Sequence, residues 1–194
     1  MSNKIFQDNV FPKHISDIMS LLHLVVFEGN DGNEEFETYL TIEQKECVAL
    51  GLALYYQCGH CILHHSRILS KLRKVKPEQL MKNMASIILF LRTDLRGVTL
   101  IEQNRWKQAW EQFAHKLSLK RGDKISPWLI GLAIGIARDD DFLIKFMGDN
   151  VLNYFVENTR EILGELEAVV IFMKSAVSKN RIADKLELLL GEAK

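Results

Sequence analysis

Cys58 and Cys61 stand three residues apart in Cys-Gly-His-Cys, and His65 follows the second by four. A neutral imidazole within reach of a thiol takes its proton, and the imidazolium then stabilises the thiolate left behind. A thiolate so made attacks a peroxide oxygen and becomes a sulfenic acid. A second thiol nearby resolves the sulfenic acid as a disulfide. The spacing therefore suits two-cysteine peroxide reduction or dithiol exchange. With Glu46, the same groups supply four ligands of a type zinc accepts. They are also compatible with an inert pair of core cysteines.

Helical periodicity governs how these groups are presented. Residues 42–57 read as one helix, with Thr41 as its N-cap and Gln44 completing a capping box. A second helix begins near Gly59 and runs past Leu72. Both cysteines then fall in the first turn of that helix, where free N–H groups and partial positive charge favour a thiolate. Cys61 and His65 share one helical face, as do Cys58 and His65, so the ring is within reach of either sulfur. His60 and His64 add positive character when protonated. Zinc clips usually staple small folds, and these apolar helices need no staple. A thioredoxin-like fold would need strands ahead of the motif, where a helix is expected.

The remaining segments are helical too. Residues 12–28 carry apolar side chains three and four apart, and a Gly-Asn-Asp-Gly-Asn break leads into an acidic loop. Pro77 opens a helix that continues through Phe90. Residues 99–119 form an amphipathic helix, Gly122-Asp-Lys a turn, and Ser126-Pro127 the start of a helix to Arg138, with two or three more to follow. No segment alternates as a strand does. The expectation is an all-α chain: residues 1–40 as N-terminal helix and acidic loop, 41–98 as the unit bearing the cysteines, and 99–194 as linker helix, degenerate second unit and C-terminal helix. The three parts are expected to pack as one compact domain.

The second unit is an internal repeat. At an offset of 82 residues, 49–54 lies over 131–136, 70–72 over 152–154, and 80–90 over 162–172. Apolar spacing is kept while few residues are identical. Cys58, Cys61 and His65 lie over Asp140, Leu143 and Met147, and Glu46 over Trp128, so the second copy is expected to be catalytically silent.

Glu46, an eleven-residue gap, Cys58-Gly-His-Cys61, three residues and His65, with Leu50-Gly-Leu-Ala-Leu54 before and His64-His65-Ser-Arg67 after, resembles the alkylhydroperoxidase D-like branch of the carboxymuconolactone decarboxylase family. The resemblance covers residues 41–90, and more loosely the repeat to Phe172. It implies an all-helical fold, and a proton relay of Glu46, Cys58, Cys61 and His65, with His60 matching a histidine often found between the cysteines. It implies Cys61 as the sulfur that meets a small hydroperoxide and Cys58 as the one that exchanges with the reductant. It further implies no bound cofactor, an external dithiol reductant such as a lipoyl-bearing protein, and a homo-oligomer, a trimer or hexamer. Decarboxylase members generally lack the cysteine pair. The rival functions are a non-catalytic, zinc-bound helical assembly and a cysteine-independent decarboxylase-like enzyme using His65 and Glu46.

Bulk properties bound these readings. In 194 residues, 47% are apolar and 26% charged, a compact globular composition. Lys+Arg equals Asp+Glu at 25 each, so the chain has no global attraction to nucleic acid or anionic membrane. The N-terminus leads into no apolar signal core, and the longest apolar run, from Trp128 to Ala137, is too short to span a bilayer. A cytoplasmic protein is expected, with the cysteine pair resting as thiols. Other candidates have plainer readings. Cys47 reads as a small buried residue, and Trp106 and Trp110 as core or subunit contact. Asp139-Asp-Asp141 reads as a helix cap, His64 as packing, and the apolar 186–190 stretch as a docking tail.

Overall fold

The computed structural model describes residues 13–28, 38–116 and 123–192. These form α1 (Lys13–His23), a π-helical turn (Leu24–Glu28), α2 (Ile42–Tyr56), α3 (Gly59–Arg73), α4 (Pro77–Leu91), α5 (Leu100–Lys116), α6 (Ser126–Arg138), α7 (Asp141–Tyr154) and α8 (Thr159–Glu192). Among the described residues there is no strand, and no helix is long and apolar enough to cross a membrane. The expected acidic loop over 29–37, the Gly122 position and residues 117–119 lie outside the described residues, as do most side chains of the 186–190 stretch.

α2 is the axis of the bundle, packed on α3, α4, α6 and α8. Residues 45–53 are all buried, as expected of a helix apolar all round. Its start is held by the expected capping box, with the Thr41 and Gln44 side chains each bonded to the other's backbone N–H. Burial obliges its polar residues to find partners. Lys45 pairs with Glu165 of α8 at 3.0 Å, and Glu165 also accepts the Tyr39 and Leu40 N–H groups at 2.7 and 3.0 Å. At the end of α3, buried Arg73 meets Glu43 at 3.0 Å and Asp123 at 2.6 Å, tying α2 and α3 to the start of α6. On the far side, Trp106 and Trp110 of α5 are buried in an aromatic cluster with Phe90, Trp128 and Phe146.

Two stretches of backbone match at the 82-residue offset. α3 and α4 begin at 59 and 77, α7 and α8 at 141 and 159. Gln57 and Asp139 are both left-handed, at φ 58 and 55. Cys58 and Asp140 are both extended N-caps whose side chains accept the N–H three residues on. Cys58 N bonds Ala53 O and Asp140 N bonds Gly135 O, each at 3.0 Å.

Two helices depart from expectation. Residues 13–28 are not one α-helix, because the last five widen into a π turn. Hydrophobic spacing does not reveal such a turn; here it goes with a buried Phe27 stacked on His23 and set against His65. The helix opening at Thr159 does not end where its counterpart α4 ends. It continues through 34 residues, so the third helix of the second stretch and the C-terminal helix are one element. No glycine or proline interrupts the sequence between Glu165 and Leu190.

Candidate active site

The chain leaves α2 through Gln57, turns, and enters α3 at Cys58. The Cys58 sulfur accepts the Cys61 N–H at 3.4 Å, an N-cap contact made by sulfur in place of the usual oxygen. Cys61 is the third residue of α3, and the two sulfurs are joined as a disulfide with Cα atoms 5.3 Å apart. Both cysteines are buried. The structure is therefore of the oxidised form, where the resting state in a reducing compartment is expected to be the dithiol. Both sulfurs sit at the positive end of α3.

One turn further along α3, His65 is 3% exposed and its Nδ1 lies 2.8 Å from Glu46 Oε2, itself 2% exposed. A carboxylate only accepts, so against an ionised Glu46 the contact is a donation from Nδ1–H, and Nε2 is the ring nitrogen that Glu46 does not engage. The ring shares its helical face with Cys61 four residues before it. Phe27 and His64 border the ring at 5.6 and 4.8 Å between centroids. Burial, then the neighbouring His65 and His23, pushes the His64 imidazole down to about 3, so it stays neutral. The positive character expected from His64 is absent at ordinary pH. His60 does not join the buried group: it is exposed and meets Asp184 of α8 at 3.3 Å. The third cysteine, Cys47, is fully buried, and burial pushes its thiol up to about 12, which leaves it an unreactive thiol.

Asn180 was not identifiable as a site residue from the motif. It is buried on α8, and its amide N–H groups point at both sulfurs, 3.5 Å from Cys58 and 3.4 Å from Cys61. Its neighbours extend the contact, with Arg181 donating to the Tyr56 carbonyl and Asp184 meeting His60. The long extension of α8 thus lies across the turn that holds the disulfide. A trace of this was in the sequence: Met173, Ala176, Val177, Asn180 and Ala183 share a helical stripe, and an amide on an apolar stripe needs a partner. Among the described residues, no group of three or more His, Cys, Asp or Glu side chains is disposed to hold a metal ion. No family model, no curated protein and no solved structure matches the chain.

Proposed function

We propose that this protein is a thiol-dependent oxidoreductase that reduces hydroperoxides through Cys58 and Cys61. The observation that carries the reading is the buried pair between Glu46 of α2 and His65 of α3, the helix that opens on the disulfide. A structural disulfide needs no such pair, and burying one is costly unless it serves a purpose. A cross-link over three residues also constrains little chain, so stability is a weak reason for it.

The cycle begins from the dithiol. His65 Nε2, with Nδ1 held by Glu46, takes the Cys61 proton. The thiolate attacks the terminal peroxide oxygen. The O–O bond breaks, Cys61 becomes a sulfenic acid, and the alkoxide leaves as the alcohol with the proton from His65. Cys58 gives its proton to His65 and attacks the sulfenic sulfur, and the displaced hydroxide takes that proton. The S–O bond breaks, water leaves and the disulfide forms. Donation from Asn180 stabilises negative charge on either sulfur. An external dithiol then restores both thiols by two exchanges and is itself oxidised to a disulfide.

On this reading the chain is an alkylhydroperoxidase D-like protein of two tandem helical units, the second silent. The matched caps and start points at the 82-residue offset support the duplication. The protein works in the cytoplasm without a bound cofactor and is recharged by a dithiol protein. Its exposed Ile18, Leu21, Leu22, Leu24 and Val25, on α1 and the π turn, support assembly into a homo-oligomer.

The test is a thiol count. One equivalent of an organic peroxide is expected to consume two thiols, which peptide mapping assigns to Cys58 and Cys61. The Cys61→Ser variant is expected to lose peroxide consumption altogether. Full peroxide turnover by that variant overturns the assignment.

A further inference from the structure

Beside the redox turn lies a concentration of positive charge that the cycle does not use. Arg92, Arg96, Arg138 and Arg181 line one cavity of about 530 Å³ together with Tyr55 and Tyr56. Asp94 is on the same wall, and Asp140 stands 3.1 Å from Arg138. Four guanidinium groups against two carboxylates leave a local excess in a chain whose formal net charge is zero. Part of this charge serves the fold. Arg92 donates to Tyr55 O at 3.0 Å, Arg138 to Leu91 O at 2.7 Å, and Arg181 to Tyr56 O. These carbonyls end α2 and α4, where cations are favoured. A guanidinium has five N–H donors, so carbonyl bonding leaves donors over on each. Burial holds the Tyr56 hydroxyl neutral, as a further donor.

A second cavity, of about 330 Å³, adjoins the first and shares Gln57 and Arg92 with it. Its wall is apolar, from Leu54, Ile62, Ile88 and Leu89. Gly59 also lines it, and a Cβ built there meets nothing within 4 Å, so the chain beside Cys58 is open on this side. Gln57 and Gly59, the two neighbours of Cys58, thus border a basic cavity and an apolar one. Both volumes fall in the range of small-molecule sites.

We propose that the two cavities form one binding site for an amphipathic carboxylate, with its carboxylate among the four arginines and its apolar chain along the Ile62–Leu89 wall. Guanidinium forks match carboxylates geometrically, and the apolar wall rewards a hydrocarbon chain rather than a second charge. Binding stands independently of the redox chemistry. The substrate class rests on the proposed function: a long-chain carboxylic acid hydroperoxide whose chain crosses the Cys58 turn, reduced to the hydroxy acid as the two thiols become the disulfide and water leaves.

The test uses dodecanoate and its methyl ester against the full chain in the disulfide form, by calorimetry below the concentration at which dodecanoate aggregates. Dodecanoate is expected to bind saturably, and the uncharged ester roughly tenfold or more weakly, as the loss of a charge-assisted hydrogen bond requires. Arg96→Gln removes a guanidinium whose side chain is exposed and paired with Asp94, so folding is spared. It is expected to weaken dodecanoate binding, while Asp94→Asn tightens it and the exposed Leu89→Ser weakens it. Equal binding of acid and ester, or affinity unmoved by Arg96→Gln and Asp94→Asn, overturns the site. Thiol loss is then compared for linoleic acid hydroperoxide, its methyl ester and tert-butyl hydroperoxide. Dodecanoate binding without thiol loss from any peroxide keeps the site and removes the redox reading. Thiol loss from tert-butyl hydroperoxide without dodecanoate binding keeps the redox reading and removes the site.

Discussion

At Gln57–Cys58 and again at Asp139–Asp140 the backbone does the same thing: one left-handed residue, one extended cap, then a new helix. The side chains differ. The first cap is a sulfur 3.4 Å from the Cys61 N–H; the second is a carboxylate 3.1 Å from the Leu143 N–H. Behind the first cap lies the Glu46–His65 pair. At the corresponding positions behind the second lie Trp128, edge-on to Phe146 at 5.6 Å, and buried Met147. Met147 packs so closely on α6 that a Cβ at Gly131 would sit 2.7 Å from its sulfur. The same scaffold thus accepts apolar bulk where the first region carries an ionisable pair. At the second region apolar side chains take the positions that Glu46 and His65 hold at the first, and burying an ionisable pair carries a cost that apolar packing does not.

The sharpest way to break this comparison is to give the first region the apolar character of the second. His65→Met alone leaves the Glu46 carboxyl buried without its partner and is expected to cost about 3–5 kcal/mol in urea unfolding. Adding Glu46→Leu is expected to recover most of that loss, while thiol loss to peroxide stays far below the parent rate. A double variant no more stable than the single one would mean that the pair is structural.

A smaller effect comes from the caps. Asp140→Ala is expected to lower stability by about 1 kcal/mol, a melting shift of about 2–4 °C in a chain of this size. Cys58→Asp, measured against the reduced parent, is expected to be neutral or slightly stabilising and to abolish the disulfide. A marked destabilisation would show that the sulfur cap is matched to its turn in a way the carboxylate is not.

A third effect is a pH dependence, which grows as the pH is lowered. His64 has Phe146 at its 82-residue counterpart. Its imidazole is held down to about 3, so below the ordinary histidine range, near 6.5, the unfolded chain binds a proton that the folded chain refuses. Stability is therefore expected to fall as pH drops from about 6.5 towards 3, and His64→Phe to flatten that slope in melts across the range. An unchanged slope would assign the acid sensitivity to other groups.

Much of the scaffold was legible because its signals are local. Thr41 with Gln44, Pro77, and Ser126-Pro127 mark helix starts within one turn of chain, and each starts a helix in the structure. The 82-residue offset was visible in apolar spacing, and the starts of α7 and α8 follow those of α3 and α4 at that offset. Only the family resemblance brought Glu46 together with His65 as a candidate, since their sequence separation of 19 carries no periodic signal. Less legible were the π turn, whose apolar pattern is that of an α-helix, and the exposure of His60, which spacing from the cysteines does not determine.

Taken by itself, the sequence determined the all-helical class, several helix starts, the cysteine pair at the start of a helix (Cys58 as its N-cap rather than within its first turn), and the histidine one turn along. These follow from caps and from the 3.6-residue period, which act over a few residues. Only the tertiary structure decided that Asn180 reaches both sulfurs, that Phe27 borders His65, and that arginines at 92, 96, 138 and 181 line one cavity. Those contacts join parts of the chain up to 122 residues apart. They depend on how helices cross and where α8 runs on, and packing in three dimensions sets that where no short-range pattern can.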